Sequence, residues 1–409
     1  MGLAVQSIEI KTVLNGSWMV FAAALFVLPL SSTLRGIVMA LIVGLVALTP
    51  VFRERLLLLF KEPWCQAAGA LFAVVLFSCA VGPASGHDAG LVLKKYTKLL
   101  FLPFLVVGFC DPRARTWGLN AFLAAMGITC GLSFLKAAGW IRYHTADPGQ
   151  VFMNHIMTGF MISFAAYIAI VLALRSQGLL RGFYVALCIT FSYQVLFIGT
   201  GCTGYVIYAC LIGLLLFQVL PWRKAFLSLM MASVLLGAVF YQSTVMQTEV
   251  KKGVASVWQF QQGQKNTRIG YRLQFHAYAK QLWERHPWFG NGTGSYTYFF
   301  KTENPFPAWE KESPAARQSF EPHSEYWLMA VESGAVGVLA LLVLFGCLLR
   351  AGIQLHAMRV IAIGIIIPFM LGNLSDSFLF YSGTGYFFLV FIALCLGERY
   401  QMATDSSGV

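Results

Sequence analysis

The sequence predicts an all-α polytopic membrane protein of about twelve transmembrane helices with one long, partly helical loop. Two observations carry that reading. Of the 409 residues, 58% are hydrophobic and only 11% are charged, whereas a soluble domain carries roughly 25% charge. Apolar runs close to the ~20-residue length of a membrane span recur along almost the whole chain. A chain this apolar does not stay unfolded in water, so intrinsic disorder is excluded.

The runs lie near 16–34, 36–52, 64–83, 98–110, 117–138, 153–174, 179–199, 202–220, 224–241, 326–349, 359–375 and 378–397. Charge marks their ends. Arg53, Arg55 and Lys61 follow the second run, and Arg113 and Arg115 precede the fifth. Arg175 and Arg181 mark the junction of the sixth and seventh, and Arg223 and Lys224 open the ninth. Arg350 and Arg359 divide the tenth from the eleventh, and Arg399 follows the twelfth. These cations, with Lys11, outnumber those of the short segments on the opposite side: Arg35, Lys94, Lys95, Lys98, Lys136 and Arg142. The positive-inside rule therefore puts both termini in the cytoplasm and the long loop outside, which in a bacterial inner membrane is the periplasm. Residues 1–241 then hold the first nine spans, 242–325 the periplasmic loop, and 326–409 the last three spans with a cytoplasmic tail.

The net charge of +12 does not imply a nucleic-acid partner, because the basic residues sit at the ends of apolar runs. There is no P-loop, no dinucleotide fingerprint, no zinc-ligand spacing and no EF-hand. The nine cysteines fall within or beside apolar runs, which argues for helix packing rather than a disulfide framework. The first apolar run is too long for a cleavable signal and is followed at once by another.

Basic residues on the outer side break the topology rule and are informative for that reason. Lys94, Lys95 and Lys98 stand in GLVLKKYTKLL at the mouth of the fourth run. The long loop adds Lys251, Lys252, Lys265, Arg268, Arg272, Lys280, Arg285, Lys301, Lys311 and Arg317, which outweigh its acids. Such a surface fits an anionic ligand at the membrane face, or a solvated loop whose lysines reach lipid headgroups.

Within the loop, TRIGYRLQFHAYAKQLWERHPWFGNGTGSY reads as a helix ended by His286-Pro287 and followed by a Gly-rich turn. Arg268 and Arg272 are four residues apart and share a face, where two guanidiniums can grip a diphosphate or simply face solvent. His323 follows Pro322 immediately before a span. The positive end of that helix disfavours imidazolium and keeps the ring available as a base; a polar boundary residue is the alternative. His87, His144, His276 and His286 read as loop residues and His356 as cytoplasmic, with His155 a secondary site candidate. Glu325 and Asp376 are placed to orient His323 or a cation, or are plain interface acids. The outer short loops hold no Asp-x-Asp pair, only Asp88, Asp147 and Asp376, so no metal and no other cofactor is expected.

In this order the motifs resemble those of the O-antigen ligase and polymerase family. The family pattern has an Arg ahead of a helix ending in Pro-x-x-Gly-x-Gly, then His-Asn or His-Ser, then a Glu-x-Gly-x-x-Gly helix. Here those are Arg272, Pro287–Gly292, His323-Ser324 with Tyr326 and Trp327, and Glu332–Gly337. One position departs. Where the family commonly has an Arg at the start of the eighth span, GTGCTGY carries Cys202, leaving another cation such as Arg142 or Lys98 to supply that charge.

The resemblance implies transfer of a glycan from an undecaprenyl-diphosphate carrier to an acceptor hydroxyl in the periplasm. An O-antigen ligase would use lipid A–core as acceptor, with inversion, His323 as base, and Arg268, Arg272 and Lys98 on the diphosphate. An O-antigen polymerase or a protein O-oligosaccharyltransferase would use the same parts with another acceptor. A transporter is the alternative from a different class, but ionisable residues are nearly absent from the span centres and no inverted repeat shows.

Overall fold

The computed structural model describes residues 16–142, 145, 147–306 and 321–401. His144, Lys311 and Arg317 lie outside the described residues. The described chain is mostly helical. The first helices are α1 (Gly16–Val27), α2 (Ser32–Leu48), α3 (Pro50–Leu59), α4 (Pro63–Ser78) and α5 (Gly86–Tyr96). A 3-10 turn over Thr97–Phe101 leads into α6 (Leu102–Gly108), followed by α7 (Pro112–Ala137), α8 (His155–Arg175) and α9 (Gly178–Tyr193). Then come α10 (Cys202–Val219), α11 (Trp222–Gln242), α12 (Thr244–Gln261), α13 (Arg268–Arg285), α14 (Ser295–Glu303), α15 (Glu325–Ile353), α16 (Arg359–Ser375) and α17 (Ser382–Leu396).

Eleven of the twelve apolar runs form helices at the expected places; the twelve full spans are not confirmed. Among the described residues, six helices are long and apolar enough to cross a membrane, or seven if α2 and α3, bent by 98°, count as one. The run at 98–110 is the exception, a 3-10 turn and a seven-residue helix. The start of α3 at Pro50 cuts the run at 36–52 into lengths that hydropathy alone does not see, and Pro63 and Pro112 open the helices that follow. At 15 residues, α17 reaches only about 23 Å, short of the ~30 Å hydrocarbon thickness.

That short helix is nonetheless the centre of the bundle. It is apolar on every side, and such a helix is stable only when surrounded. Gly383–Gly385 and every residue from Phe387 to Leu396 are buried. Phe387 and Phe391 interlock with Phe122 of α7 and with Phe160 and Phe164 of α8, at centroid separations of 4.8–5.7 Å. Helix α11 is the opposite case, with Phe226, Leu227, Met230, Met231, Val234 and Leu235 all exposed. An apolar surface of that kind suits lipid.

The long loop contains α12, α13 and α14. Helix α13 matches the expected one, capped by the Thr267 hydroxyl accepting from the Gly270 amide and ended at His286. The Gly-rich turn after it clamps the loop to α15. That helix is broken at Gly334 (φ 65°, ψ −159°), and the chain from Pro287 to Gly292 pairs with the break. Asn291 and Gly292 donate to the carbonyls of Val331 and Glu332, while Ala335 and Val336 donate to Pro287 and Trp288. The Thr293 amide bonds Ser78 in α4. These amides are committed to protein, so the turn is a clamp rather than a phosphate cradle. A Cβ on Gly334 would stand 2.4 Å from the backbone carbon and oxygen of Trp288.

Gly334→Ala therefore adds a left-handed strain of about 1–3 kcal/mol to a backbone collision. The thermal midpoint of the detergent-solubilised protein is expected to fall clearly. An unchanged midpoint would mean that the break tolerates a side chain and is not closed in this way.

Candidate active site

Four segments meet where α13 lies against the start of α15: the 321–324 turn, the end of α16, the 376–381 turn and α13 itself. His323 is at their centre. Its backbone is left-handed (φ 55°), rare for a residue other than glycine and costing about 1–3 kcal/mol. The conformation is pinned from both sides. The His323 amide donates to Glu321 Oε2 at 2.6 Å, and His276 Nε2 donates to the His323 carbonyl at 3.2 Å. The ring lies against Phe275, centroids 5.5 Å apart, with the side chain 31% exposed.

The tautomer follows from the partners. Nδ1 is 3.2 Å from Asp376 Oδ1 and 3.1 Å from Glu321 Oε1. Carboxylates only accept, so Nδ1 carries the proton and Nε2 is left with its lone pair. Nε2 has no hydrogen-bond partner among the described residues. Burial pulls the His323 pKa down, but the Asp376 hydrogen bond and the charges of Glu321 and Asp376 outweigh it and raise it above its ordinary 6.5. This corrects the expectation from the helix end alone, because two carboxylates at contact distance exceed a partial dipole charge.

Asp376 is buried just past α16 and organises the cluster. Oδ1 accepts from His323 and from the Ser377 amide at 3.1 Å, and Oδ2 lies 3.6 Å from an Arg272 guanidinium nitrogen. Burial raises the Asp376 pKa, yet His323, Arg272 and the Ser377 amide together hold it below the usual carboxylate range. Asp376 thus orients both the base and the cation.

The other expected residues are placed as follows. Arg272 is one-quarter exposed beside Asp376. Arg268 opens α13, but its side chain lies outside the described residues. Arg142 is exposed in the loop after α7 and forms no ion pair among the described residues. Lys98 is buried, its ammonium donating to the carbonyls of Leu379, Phe380 and Tyr381. An ammonium has three donors, so none remains for a diphosphate, and Lys98 instead fixes the turn that carries Asp376. Glu325 accepts from the Tyr96 hydroxyl at 2.7 Å and the Phe380 amide at 2.9 Å, supporting the same turn. His155 lies elsewhere, 3.7 Å from Asp147.

Sequence reasoning missed Glu321, His276 and Tyr381. Glu321, two positions before His323, accepts from the His323 amide, the Ser377 hydroxyl and the Tyr381 hydroxyl. An acid separated from a candidate base only by Pro322 was the available signal. Because of it, the fold assembles a carboxylate pair that the search for Asp-x-Asp did not find. Glu321, His323 and Asp376 present ligand-capable atoms within 4.8 Å of one another. Their oxygens already accept the hydrogen bonds above, and the Arg272 cation stands against Asp376, a donor set arranged for a proton more than for a dication.

Beside Arg272 is a cavity of about 360 Å3 between the start of α10 and the facing sides of α12 and α13. A bundle of helices apolar enough to cross a membrane defines a polytopic membrane protein, and it brings an imidazole, a guanidinium and this cavity together. Residues 162–342 match the family model described as O-antigen ligase, which shows over that segment the resemblance read from the motifs. No curated protein matches the chain.

Asp376→Asn tests the dyad. The Asn amide can donate to Nδ1 and move the ring proton to Nε2, so turnover should fall by about 10²-fold or more. A base with a raised pKa is lost as pH falls, so the wild-type rate should begin to drop above pH 6.5. In the variant that acidic limb should move to lower pH. A pH–rate profile that does not move would mean Asp376 has no hold on the titration of His323.

Proposed function

We propose that this protein is an O-antigen ligase. It transfers the glycan of an undecaprenyl-diphosphate-linked donor to a hydroxyl of lipid A–core, on the periplasmic face of a bacterial inner membrane. The observation that carries the reading is the Nε2 of His323, without a partner among the described residues, on a ring oriented by Asp376 and Glu321, next to Arg272. In the reaction, Nε2 takes the proton of the acceptor hydroxyl as its oxygen bonds to the anomeric carbon. The bond from that carbon to the carrier phosphate breaks, and its electron pair leaves with the diphosphate. Attack opposite the leaving group inverts the anomeric centre. Asp376 and Glu321 stabilise the imidazolium, and Arg272 stabilises the charge gathering on the departing phosphate. The cavity beside Arg272 receives the diphosphate, and no metal takes part. A polymerase would use the same groups with a second carrier-linked glycan as acceptor.

The expected outcomes are specific. Purified His323→Ala should remain folded and bind the lipid-linked donor, while turnover falls by at least ~10²-fold. Ligation by wild-type protein should survive EDTA. Near-normal turnover in folded His323→Ala would remove this histidine from the reaction, and EDTA inactivation reversed by Mg2+ or Mn2+ would replace the proton account with a metal one. In a deletion strain, unligated lipid-linked polymer supports a ligase, and single repeat units on the core would indicate a polymerase.

A further inference from the structure

We propose that Lys252 is a donor-binding residue, the second cation that holds the diphosphate opposite Arg272. The proposal rests on the reading of the cavity as the diphosphate site, and assigns a residue that no motif in the sequence marks. The cavity is lined by Cys202 and Thr203 from α10, Glu249 and Lys252 from α12, and Ile269 and Arg272 from α13, among others. Among the described residues, Lys252 and Arg272 are its cationic lining residues, and they stand on different helices.

Each cation leans on a carboxylate. Lys252 Nζ is 3.2 Å from Glu249 Oε1, as Arg272 is 3.6 Å from Asp376 Oδ2. Glu249 is buried, whereas the Lys252 side chain is 64% exposed. Glu249 takes one of the three ammonium donors, leaving the others for a ligand. Cavity lining and ion pairing thus give Lys252 a fixed position and free donors, the two properties an anion site needs.

The packing of α12 explains why this cation can replace one at position 202. Cys202 Sγ donates to the Glu249 carbonyl at 3.6 Å, and a Cβ on Gly253 would lie 3.6 Å from the same sulfur. Helix α12 therefore packs against Cys202, and Lys252 lines the same cavity as position 202. The first turn of α10 adds the positive end of its dipole to the same wall. The other cations considered for this role do not reach the cavity. Lys98 donates to three backbone carbonyls, and Arg142 is not among the lining residues.

The experiment moves the charge and leaves the cavity in place. In purified full-length protein, Lys252→Ala should raise the donor KM by about ten- to a hundredfold, with a smaller change in kcat. Lys252→Arg should keep KM near the wild-type value, and inorganic pyrophosphate should compete with donor less well in Lys252→Ala. Adding Cys202→Arg to Lys252→Ala should recover much of the lost affinity, since a cation returns to the same space from α10. An unchanged KM in folded Lys252→Ala, or a double variant no better than the single one, would overturn the assignment of Lys252. Failure of wild-type protein to bind lipid-linked diphosphate at all would instead overturn the proposed function.

Discussion

A lysine ammonium buried among backbone carbonyls holds the reactive end of the molecule together. Lys98 is 1% exposed, and its nitrogen is claimed by Leu379, Phe380 and Tyr381. Burying an ammonium is costly unless it is fully hydrogen-bonded, so the turn can close only around it. The same turn receives the Glu325 carboxylate on the Phe380 amide and the Asn373 side chain on the Leu379 amide. At the far end of α16, Glu398 accepts the amides of His356, Ala357 and Met358, so that helix is secured at both ends. Asp376 sits on the portion so fixed. Its position in turn holds Arg272 and His323, and a strained histidine backbone persists because its surroundings leave it no alternative.

The amount of this that the sequence reveals depends on whether a feature is local. Apolar runs gave the helix positions, because burial in lipid or in a helix bundle both demand them. Helix α13 was legible from its spacing and its His286-Pro287 end. His323 stood out through its place just before a span. The failures share one cause: a sequence shows that a residue is charged but not what it faces. Lys98 read as an outward cation and is an inward one. Glu321 read as one loop acid among several and touches the base. Gly334 and Gly337 read as the glycines of a Glu-x-Gly-x-x-Gly helix, and the break at the first of them is visible only once Pro287–Gly292 lies against it.

The charges of the site are arranged as a balance. Two buried carboxylates face one imidazole and one guanidinium, so neither cation is free to draw a second acid close and neither acid is left uncompensated. When the imidazole gains a proton, the cluster moves toward neutrality instead of away from it. A base in such a setting is strong for a histidine, and it is exposed on the one nitrogen that the carboxylates do not use. Arg272 both stands against Asp376 and lines the cavity between α10, α12 and α13.

The chain order of these groups has a consequence for biogenesis. Lys98 enters the membrane early, His323 much later, and Asp376 only after α16 has been made. Its turn is then closed by α17, the helix buried on every side. A partly inserted chain therefore contains the histidine without the acid that sets its tautomer.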